Sequence, residues 1–183
     1  MLEEVLIAGF GGQGILSTGM LIAYAGMDEG LHVSWIPSYG PEMRGGTANC
    51  GVTVSDSPIS SPLVAEPTTL IAMNQPSLDK YESTVKPGGL ILYNASFISR
   101  GPERKDVRVL GIKANEMAEK IGNVRFAANI ILGAFIELTG SVSLSGASEA
   151  LKKVLPPHRH KLIPANQQAL EEGARFAREK TGH

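Results

Sequence analysis

The sequence predicts an α/β fold, a three-layer α/β/α sandwich around a mostly parallel, Rossmann-like sheet. Short apolar and β-branched runs alternate with helical segments along the first two thirds of the 183 residues. A glycine-rich turn separates the first run from the first helix, which is typical of a right-handed, parallel strand–helix–strand unit. The last third is helical throughout. We expect residues 1–183 to form a single domain.

Each element is predicted from the spacing of its apolar residues. A continuous apolar run predicts a fully buried strand, and an alternating run predicts a strand with one buried face. The predicted strands are Glu4–Ala8, His32–Ile36, Thr47–Ser55, Thr69–Met73, Leu90–Asn94 and Val107–Ile112. Apolar residues three or four positions apart predict helices, which proline can begin and glycine can end. The predicted helices are Gly12–Glu29, Pro76–Val85, Ala114–Ile121, Phe126–Thr139, Gly146–Leu155 and Pro164–Lys180.

The charge balance and the single cysteine exclude several classes of function. With 17 basic and 18 acidic residues, the net charge of −1 is too small for bulk attraction to nucleic acid or an anionic membrane. Cys50 alone can neither form a disulfide within the chain nor hold an iron–sulfur cluster, and we expect a buried thiol. No apolar run is long enough to span a bilayer, and the N-terminal segment lacks signal-peptide features. We therefore expect a soluble, cytoplasmic protein without a nucleic-acid or membrane partner.

The glycine cluster Gly9-Phe10-Gly11-Gly12-Gln13-Gly14 matches the G-x-G-x-x-G pattern between a strand and a helix. Such a turn brings backbone N–H groups close to a phosphate or another anion. A dinucleotide site also needs an acidic residue at the end of the second strand. That position reads Trp35-Ile36-Pro37-Ser38, and Asp28 and Glu29 fall at the end of the helix instead. The motif therefore disfavours a dinucleotide-binding site. Two roles stay open: the glycines could only allow close packing of helix and strand, or the turn could bind another anion.

A second motif, Ser38-Tyr39-Gly40-Pro41-Glu42-Met43-Arg44-Gly45-Gly46, follows the second predicted strand. It places a carboxylate, Glu42, near a guanidinium, Arg44, which can bind an anion through two hydrogen bonds. Gly45 and Gly46 allow a ligand or a partner to approach the backbone. In a parallel sheet this loop would lie at the carboxyl end of the strands, beside the glycine turn, where open α/β sheets bind ligands.

Together, in this order and at this separation, the two motifs resemble the gamma subunit or gamma domain of the 2-oxoacid:ferredoxin oxidoreductases. The resemblance covers nearly the whole chain and includes the run IAMNQPSLDKY and the helix with Asn129, Leu132 and Gly133. It implies a multisubunit enzyme, of which the isolated chain is inactive. The complex would oxidatively decarboxylate a 2-oxoacid, with coenzyme A as co-substrate, to an acyl-CoA, carbon dioxide and reduced ferredoxin.

The resemblance also implies where the cofactors lie. Thiamine diphosphate, Mg²⁺ and iron–sulfur clusters would be held by alpha and beta, or delta, partner subunits, and none by this chain alone. Ferredoxin would be reached through the complex, and the gamma part would face the coenzyme A side of the active site. The residues implied on that side are Gly9, Gly11, Gly12, Gln13, Gly14, Ser38, Tyr39, Glu42, Arg44, Gly45 and Gly46. No residue of this chain is implied to be catalytic or to bind a metal.

Several alternatives stay open at this point. Arg44 and the glycine turn could contact the coenzyme A phosphates, or Glu42 and Arg44 could only lock the loop against the alpha subunit. The run Ser38–Glu42 favours the pyruvate, ketoisovalerate and 2-oxoglutarate branches over the indolepyruvate branch, and the compact length resembles 2-oxoglutarate enzymes most. A stand-alone Rossmann-like nucleotide-binding protein is the alternative function. The isolated chain could also form a homodimer through the surface that its partners would cover.

Overall fold

The computed structural model describes residues 1–39 and 47–182, with Tyr39 described by its backbone alone. Within these ranges six strands form one sheet: β1 (Leu2–Phe10), β2 (His32–Tyr39), β3 (Thr47–Ser55), β4 (Thr69–Ala72), β5 (Leu90–Asn94) and β6 (Arg108–Ile112). The described α-helices are α1 (Ile15–Asp28), α2 (Gln75–Tyr81), α3 (Ala114–Ile121), α4 (Ala127–Thr139), α5 (Leu144–Val154) and α6 (Ile163–Thr181). Short 3₁₀ turns occupy Glu82–Thr84, Val124–Phe126 and Pro157–Leu162. Across the described ranges, every helix is too short or too polar to cross a membrane.

The sheet is mostly parallel, with one strand reversed. Its strand order is β2-β3-β1-β4-β5-β6, and β1, β4, β5 and β6 pair in parallel. Strand β3 is antiparallel to both β1 and β2, which gives β2 the same direction as β1. The α/β class, the mostly parallel sheet and the flanking helices are confirmed. The expected unit of β1, α1 and β2 needs one correction, because β3 is inserted between its two strands.

The two faces of the sheet are covered unequally. Successive side chains of a strand point to opposite faces, so Val5 and Ile7 of β1 face one core and Leu6 faces another. The core around Val5 and Ile7 is large and is built with α1, α3, α4, α5 and α6. The core around Leu6 is smaller and includes Leu78 of α2 and Ile98. The thick helical layer therefore lies on the face that carries α1 and the glycine turn.

Two buried glycines bring α4 and α6 into backbone contact. A Cβ atom at Gly133 would overlap the carbonyl oxygen of Leu170, and a Cβ atom at Gly173 would overlap that of Ile130. Helix α4 is buried along most of its length, so it cannot shift toward solvent to relieve such an overlap. Glycine at both positions allows the two helices to pack at this short distance.

The end of α1 is tied to α5 by two carboxylates. Glu29 accepts hydrogen bonds from the backbone N–H of Ser143 at 2.8 Å and from its hydroxyl at 2.5 Å, and Ser143 caps α5. Asp28 accepts a hydrogen bond from Lys153 Nζ at 2.8 Å. The two acids that follow the glycine motif in the sequence therefore connect helices, at the opposite end of α1 from the glycine turn.

Candidate functional site

A cleft of about 650 Å³ opens at the carboxyl edge of the sheet. The glycine turn after β1, Met73 after β4, Asn94 at the end of β5 and Asn115 of α3 line one part of it. The beginnings of α1 and α4, the end of α5 and the 3₁₀ turn before α6 line the rest. Open α/β sheets bind ligands at this edge, because loops and helix N-termini meet there.

The glycine turn leaves the first amides of α1 without helical acceptors. Gly12 and Gly14 have φ values of 87° and 79°, which glycine adopts without strain. Gly14 precedes the helix and has no side chain that could satisfy the amides after it. Because the Thr18 N–H bonds back to the Gly14 carbonyl, the three amides before Thr18 have no acceptor in the helix. Because Gly11 and Gly12 are also exposed at the turn, the N-terminal end of α1 can bind an anion through its free backbone amides.

Gln13 closes the turn and connects it to the segment after β4. Its Oε1 accepts a hydrogen bond from the Phe10 N–H at 2.7 Å, and its Nε2 donates to the Met73 carbonyl at 3.3 Å. A Cβ atom at Gly9 would lie 2.7 Å from Gln13 Oε1 and 2.8 Å from Met73 Cβ, so glycine is required there. Gly9 and Gln13 therefore shape the turn, and the side chain of Gln13 is already engaged within the chain.

A second helix, α4, begins at the same cleft; the sequence predicts this helix but not its place beside the glycine turn. The 3₁₀ turn Val124–Phe126 leads into α4, and a Cβ atom at Gly14 would lie only 3.0 Å from Ala128 Cβ. Arg125 from this turn is exposed and lines the cleft. Arg159, from the turn before α6, is also exposed and lines it. Neither arginine belongs to a motif, and the local sequence does not indicate that the two lie at one cleft.

The cleft combines positive charge with an apolar interior. Among the described lining residues, Arg125 and Arg159 are charged and carboxylates are absent. One lining amide, Asn129, is engaged within the fold and donates to Asn166 Oδ1 at 2.5 Å. The apolar lining includes Leu21, Phe126, Leu151, Val154, Leu155 and Leu162. Such a lining suits a ligand with an anionic end and a long, weakly polar arm.

The second motif lies partly outside the described residues, which do not include 40–46. The predicted site residues that fall in this range are Glu42, Arg44, Gly45 and Gly46. Their relation to the cleft stays a prediction.

The described residues on either side of 40–46 lie at the cleft edge of the sheet. Ser38 is exposed near the end of β2, and the backbone of Tyr39 pairs with Ala48. Thr47, at the beginning of β3, pairs with Phe10 at the end of β1 and lines the cleft. The chain therefore leaves the sheet at Tyr39 and returns at Thr47 on the edge that carries the glycine turn.

Cys50 is buried, as the sequence predicts. Its Sγ donates to the Ile15 carbonyl at 3.4 Å, and a Cβ atom at Gly19 would lie 2.6 Å from the sulfur. Burial raises the pKa of the Cys50 thiol to about 12. The reactive thiolate is therefore scarce near neutral pH, which disfavours a nucleophilic role.

We expect Cys50 to resist alkylation in the folded chain. Iodoacetamide at mildly alkaline pH should leave the native protein unmodified and should add one adduct after unfolding in urea, as read by intact mass. Ser17 is exposed in the cleft, so a Ser17→Cys variant should gain one adduct while folded. Rapid modification of the unaltered native chain would contradict the buried, high-pKa thiol.

The comparisons with known proteins identify the family. The family model described as pyruvate ferredoxin/flavodoxin oxidoreductase matches residues 4–176. The chain belongs to this family. It is 45% identical over 178 residues to ketoisovalerate oxidoreductase subunit VorA of Methanothermobacter thermautotrophicus, a match that covers 96% of this chain and 36% of VorA. It is 34% identical to 2-oxoglutarate synthase subunit KorC of Methanothermobacter marburgensis, over 86% of this chain and 88% of KorC.

A solved structure agrees with a gamma-type member. The gamma subunit of the keto/oxoacid ferredoxin oxidoreductase from Geobacter sulfurreducens PCA superposes with a TM-score of 0.82 at 28% identity. The match covers 96% of this chain and 98% of that subunit. The resemblance to the gamma subunits and gamma domains is thereby confirmed, and the chain groups with subunits of oxidoreductases and synthases.

The strand order weighs against a dinucleotide site. In such a site an acidic residue at the end of the parallel neighbour of β1 holds the ribose. In this sheet β4 is the parallel neighbour of β1, and the place next to β1 that a dinucleotide fold gives to its second strand is taken by the reversed strand β3. Strand β2 therefore lies two strand spacings, about 10 Å, from β1. Asp28 and Glu29 are engaged with Lys153 and Ser143 at the far end of α1. The glycine turn therefore lacks, in the described chain, the acidic partner that a dinucleotide requires.

Proposed function

We propose that this chain is the gamma part of a 2-oxoacid:ferredoxin oxidoreductase. The complex would convert a 2-oxoacid and coenzyme A to an acyl-CoA and carbon dioxide, and the two electrons released would reduce ferredoxin. The observation that carries this proposal is the likeness to a gamma subunit over nearly the whole of both chains. Residues 1–183 would act as one gamma-type domain in the cytoplasm. The chain would supply no catalytic residue and would be inactive alone.

We assign the cofactor chemistry to partner subunits. Thiamine diphosphate, Mg²⁺ and the iron–sulfur clusters would lie in alpha and beta subunits, or in a delta subunit. An iron–sulfur cluster needs about four protein ligands, most often cysteines. The donor set of this chain does not fit one, because Cys50 is its single cysteine and is buried. Ferredoxin would therefore exchange electrons with the partner subunits.

We infer that the cleft at the carboxyl edge of the sheet meets coenzyme A. Phosphate groups are bound by helix N-terminal amides and by arginines, and the cleft presents the start of α1 together with Arg125 and Arg159. Its apolar lining suits the pantetheine arm, which is long and weakly polar. Glu42 and Arg44 belong to this proposal because their segment leaves and rejoins the sheet at the same edge. The competing role for both residues is contact with the alpha subunit.

Removing either cleft arginine should weaken the use of coenzyme A in the assembled enzyme. Arg125→Ala and Arg159→Ala should each raise the KM for coenzyme A by about tenfold, because a hydrogen bond to a charged group contributes roughly 1.5–3 kcal/mol. The KM for the 2-oxoacid should not change. Arg178 of α6 pairs with Glu137 of α4 at 2.9 Å and does not line the cleft, so Arg178→Ala serves as the matched control. A KM for coenzyme A that is unchanged in both cleft variants would contradict this assignment.

The identity of the 2-oxoacid is a separate part of the proposal. The sequence favours 2-oxoglutarate, the acid named for the KorC relative, whereas the VorA relative with 45% identity is named for ketoisovalerate. We propose ketoisovalerate as the first candidate because of that higher identity, with 2-oxoglutarate as the second. Both acids, with pyruvate and indolepyruvate for comparison, should be assayed with the assembled enzyme.

The test of the function is reconstitution with candidate alpha and beta subunits. The complete complex should reduce a viologen dye only with a 2-oxoacid, coenzyme A and this chain all present. Full activity without the chain would make it an assembly factor and contradict the proposal. A chain that joins no partner but is stabilised against heat by a nucleotide would favour the stand-alone binding protein.

A further inference from the structure

The outer edge of β6 has no strand beside it among the described residues. The Arg108 N–H and the Ile112 carbonyl both bond toward the β5 side, at 2.8 and 2.7 Å. Because the direction of hydrogen bonding alternates along a parallel strand, the N–H and C=O groups of Val109 and Gly111 point away from the sheet. Val109 is exposed, so these groups lie where another chain can reach them. An open strand edge of this kind is a template for one more strand.

A basic groove of about 740 Å³ lies beside this edge, between β6, α3 and α6. Its charged lining residues are Lys113, Lys120, Glu172, Arg175 and Lys180. The carboxylates of Glu172 and Glu179 pair with Arg175. Within the described chain, by contrast, Lys113, Lys120 and Lys180 make no ion pair with a carboxylate. The groove therefore keeps three lysines available to an anionic partner.

The floor of the groove also has an apolar part. Tyr93, Ile121 and Phe176 line it, and the Lys180 ammonium lies 5.6 Å from the centre of the Phe176 ring. Gly111 has no side chain, and a Cβ atom there would lie 2.5 Å from the Tyr93 ring. The Tyr93 ring therefore packs directly against Gly111, and the β6 edge lies next to surfaces that can accept both carboxylates and apolar side chains.

We propose that the β6 edge and the basic groove form a docking site for an extended acidic segment of a partner protein. The backbone of that segment would add to β6 as a seventh strand through Val109 and Gly111. Its carboxylates would meet the lysines, and charge complementarity would favour it over neutral or basic segments. The site is distinct from the cleft, because it lies along the outermost strand and not at the carboxyl ends of β1 and β4.

The direct test uses two fluorescein-labelled peptides, one of alternating glutamate and valine and one of alternating lysine and valine. Fluorescence anisotropy with the full chain at low ionic strength should show saturable binding of the acidic peptide alone. Added salt should weaken that binding, because exposed charges are screened. Absence of saturable binding by the acidic peptide, or equal binding of both peptides, would overturn the proposal.

Two pairs of variants separate the parts of the site. The double variant Lys113→Glu and Lys120→Glu should weaken acidic-peptide binding by about tenfold or more. Lys152→Glu with Lys161→Glu changes the net charge equally, lies outside the groove and should leave binding within about twofold. Val109→Pro removes an outward N–H without removing a bond to β5, and it should weaken binding by about tenfold, whereas Val109→Thr should not.

The remaining outcomes also decide the proposal. Binding that is lost in the lysine variant but kept in Val109→Pro would indicate that the acidic peptide binds through charge alone and would overturn strand addition. Self-association that Val109→Pro abolishes, without binding of either peptide, would identify a second copy of this chain as the occupant and would overturn the acidic partner.

Discussion

Gly173→Ala and Gly133→Ala should each lower the free energy of unfolding by at least about 3 kcal/mol, because overpacking of this severity exceeds the usual range. Each new methyl group would overlap a carbonyl oxygen of the facing helix, Ile130 for Gly173 and Leu170 for Gly133. These oxygens belong to helical backbone, so no side-chain rotation can relieve the overlap. The helices must separate, which opens the large core. Urea unfolding of the purified chain measures the effect.

The matched control is a glycine in another helix. At Gly146 of α5, a new methyl group would meet the ends of the Glu29 and Ser143 side chains, and moving them would weaken the Ser143 cap of α5, which contributes about 1 kcal/mol. Alanine is otherwise the better helix former by about 1 kcal/mol, so Gly146→Ala should change stability by no more than about that amount. A Gly133→Ala or Gly173→Ala protein as stable as the parent would contradict the close contact of α4 with α6.

Gly9→Ala should disrupt the glycine turn and, with it, the use of coenzyme A. The new methyl group would lie 2.7 Å from Gln13 Oε1 and 2.8 Å from Met73 Cβ. Gln13 can move, but it would then lose its hydrogen bonds to Phe10 and Met73. We expect a loss of about 2 kcal/mol in stability and a rise of about tenfold in the KM for coenzyme A of the assembled enzyme.

A variant away from the cleft separates lost stability from lost binding. Gly30 follows α1 with φ of 79°, and a Cβ atom there would meet nothing within 4 Å. Gly30→Ala should therefore cost about 1–2 kcal/mol through left-handed backbone strain. It should leave the KM for coenzyme A unchanged at a temperature where both variants are folded. Equal KM values for Gly9→Ala and the parent enzyme would contradict the role of the turn.

The sequence predicts the bounds of an element most accurately where its apolar residues follow a single strand or helix pattern. Strands Thr47–Ser55 and Leu90–Asn94 and helix Ala114–Ile121 have the predicted bounds, because turn or polar residues flank each apolar pattern. The helix predicted from Gly12 begins at Ile15 instead, since Gly12 and Gly14 adopt positive φ and hold the chain in a turn. The spacing of apolar residues therefore predicts that a helix is present, whereas the positive φ angles of Gly12 and Gly14 determine where it begins.

The strand order and part of the cleft could not be predicted in the same way. Alternation marks β3 as a strand but does not say that it folds back between β1 and β2. Arg125 and Arg159 come from segments far in sequence from the glycine turn and from the second motif, and the packing of α4, α5 and α6 brings them to the cleft. Such residues have no local signal, because their role depends on contacts between distant parts of the chain.

Hydrogen–deuterium exchange of the assembled enzyme, with and without coenzyme A, tests the central claim most directly. The account predicts slower exchange on coenzyme A addition in peptides that cover residues 11–18 and 124–129, which form the two helix starts at the cleft. Peptides that cover 75–81 in α2, which does not line the cleft, should exchange at the same rate in both states. Protection confined to the partner subunits, with none in the two cleft segments, would contradict the proposal that this chain meets coenzyme A.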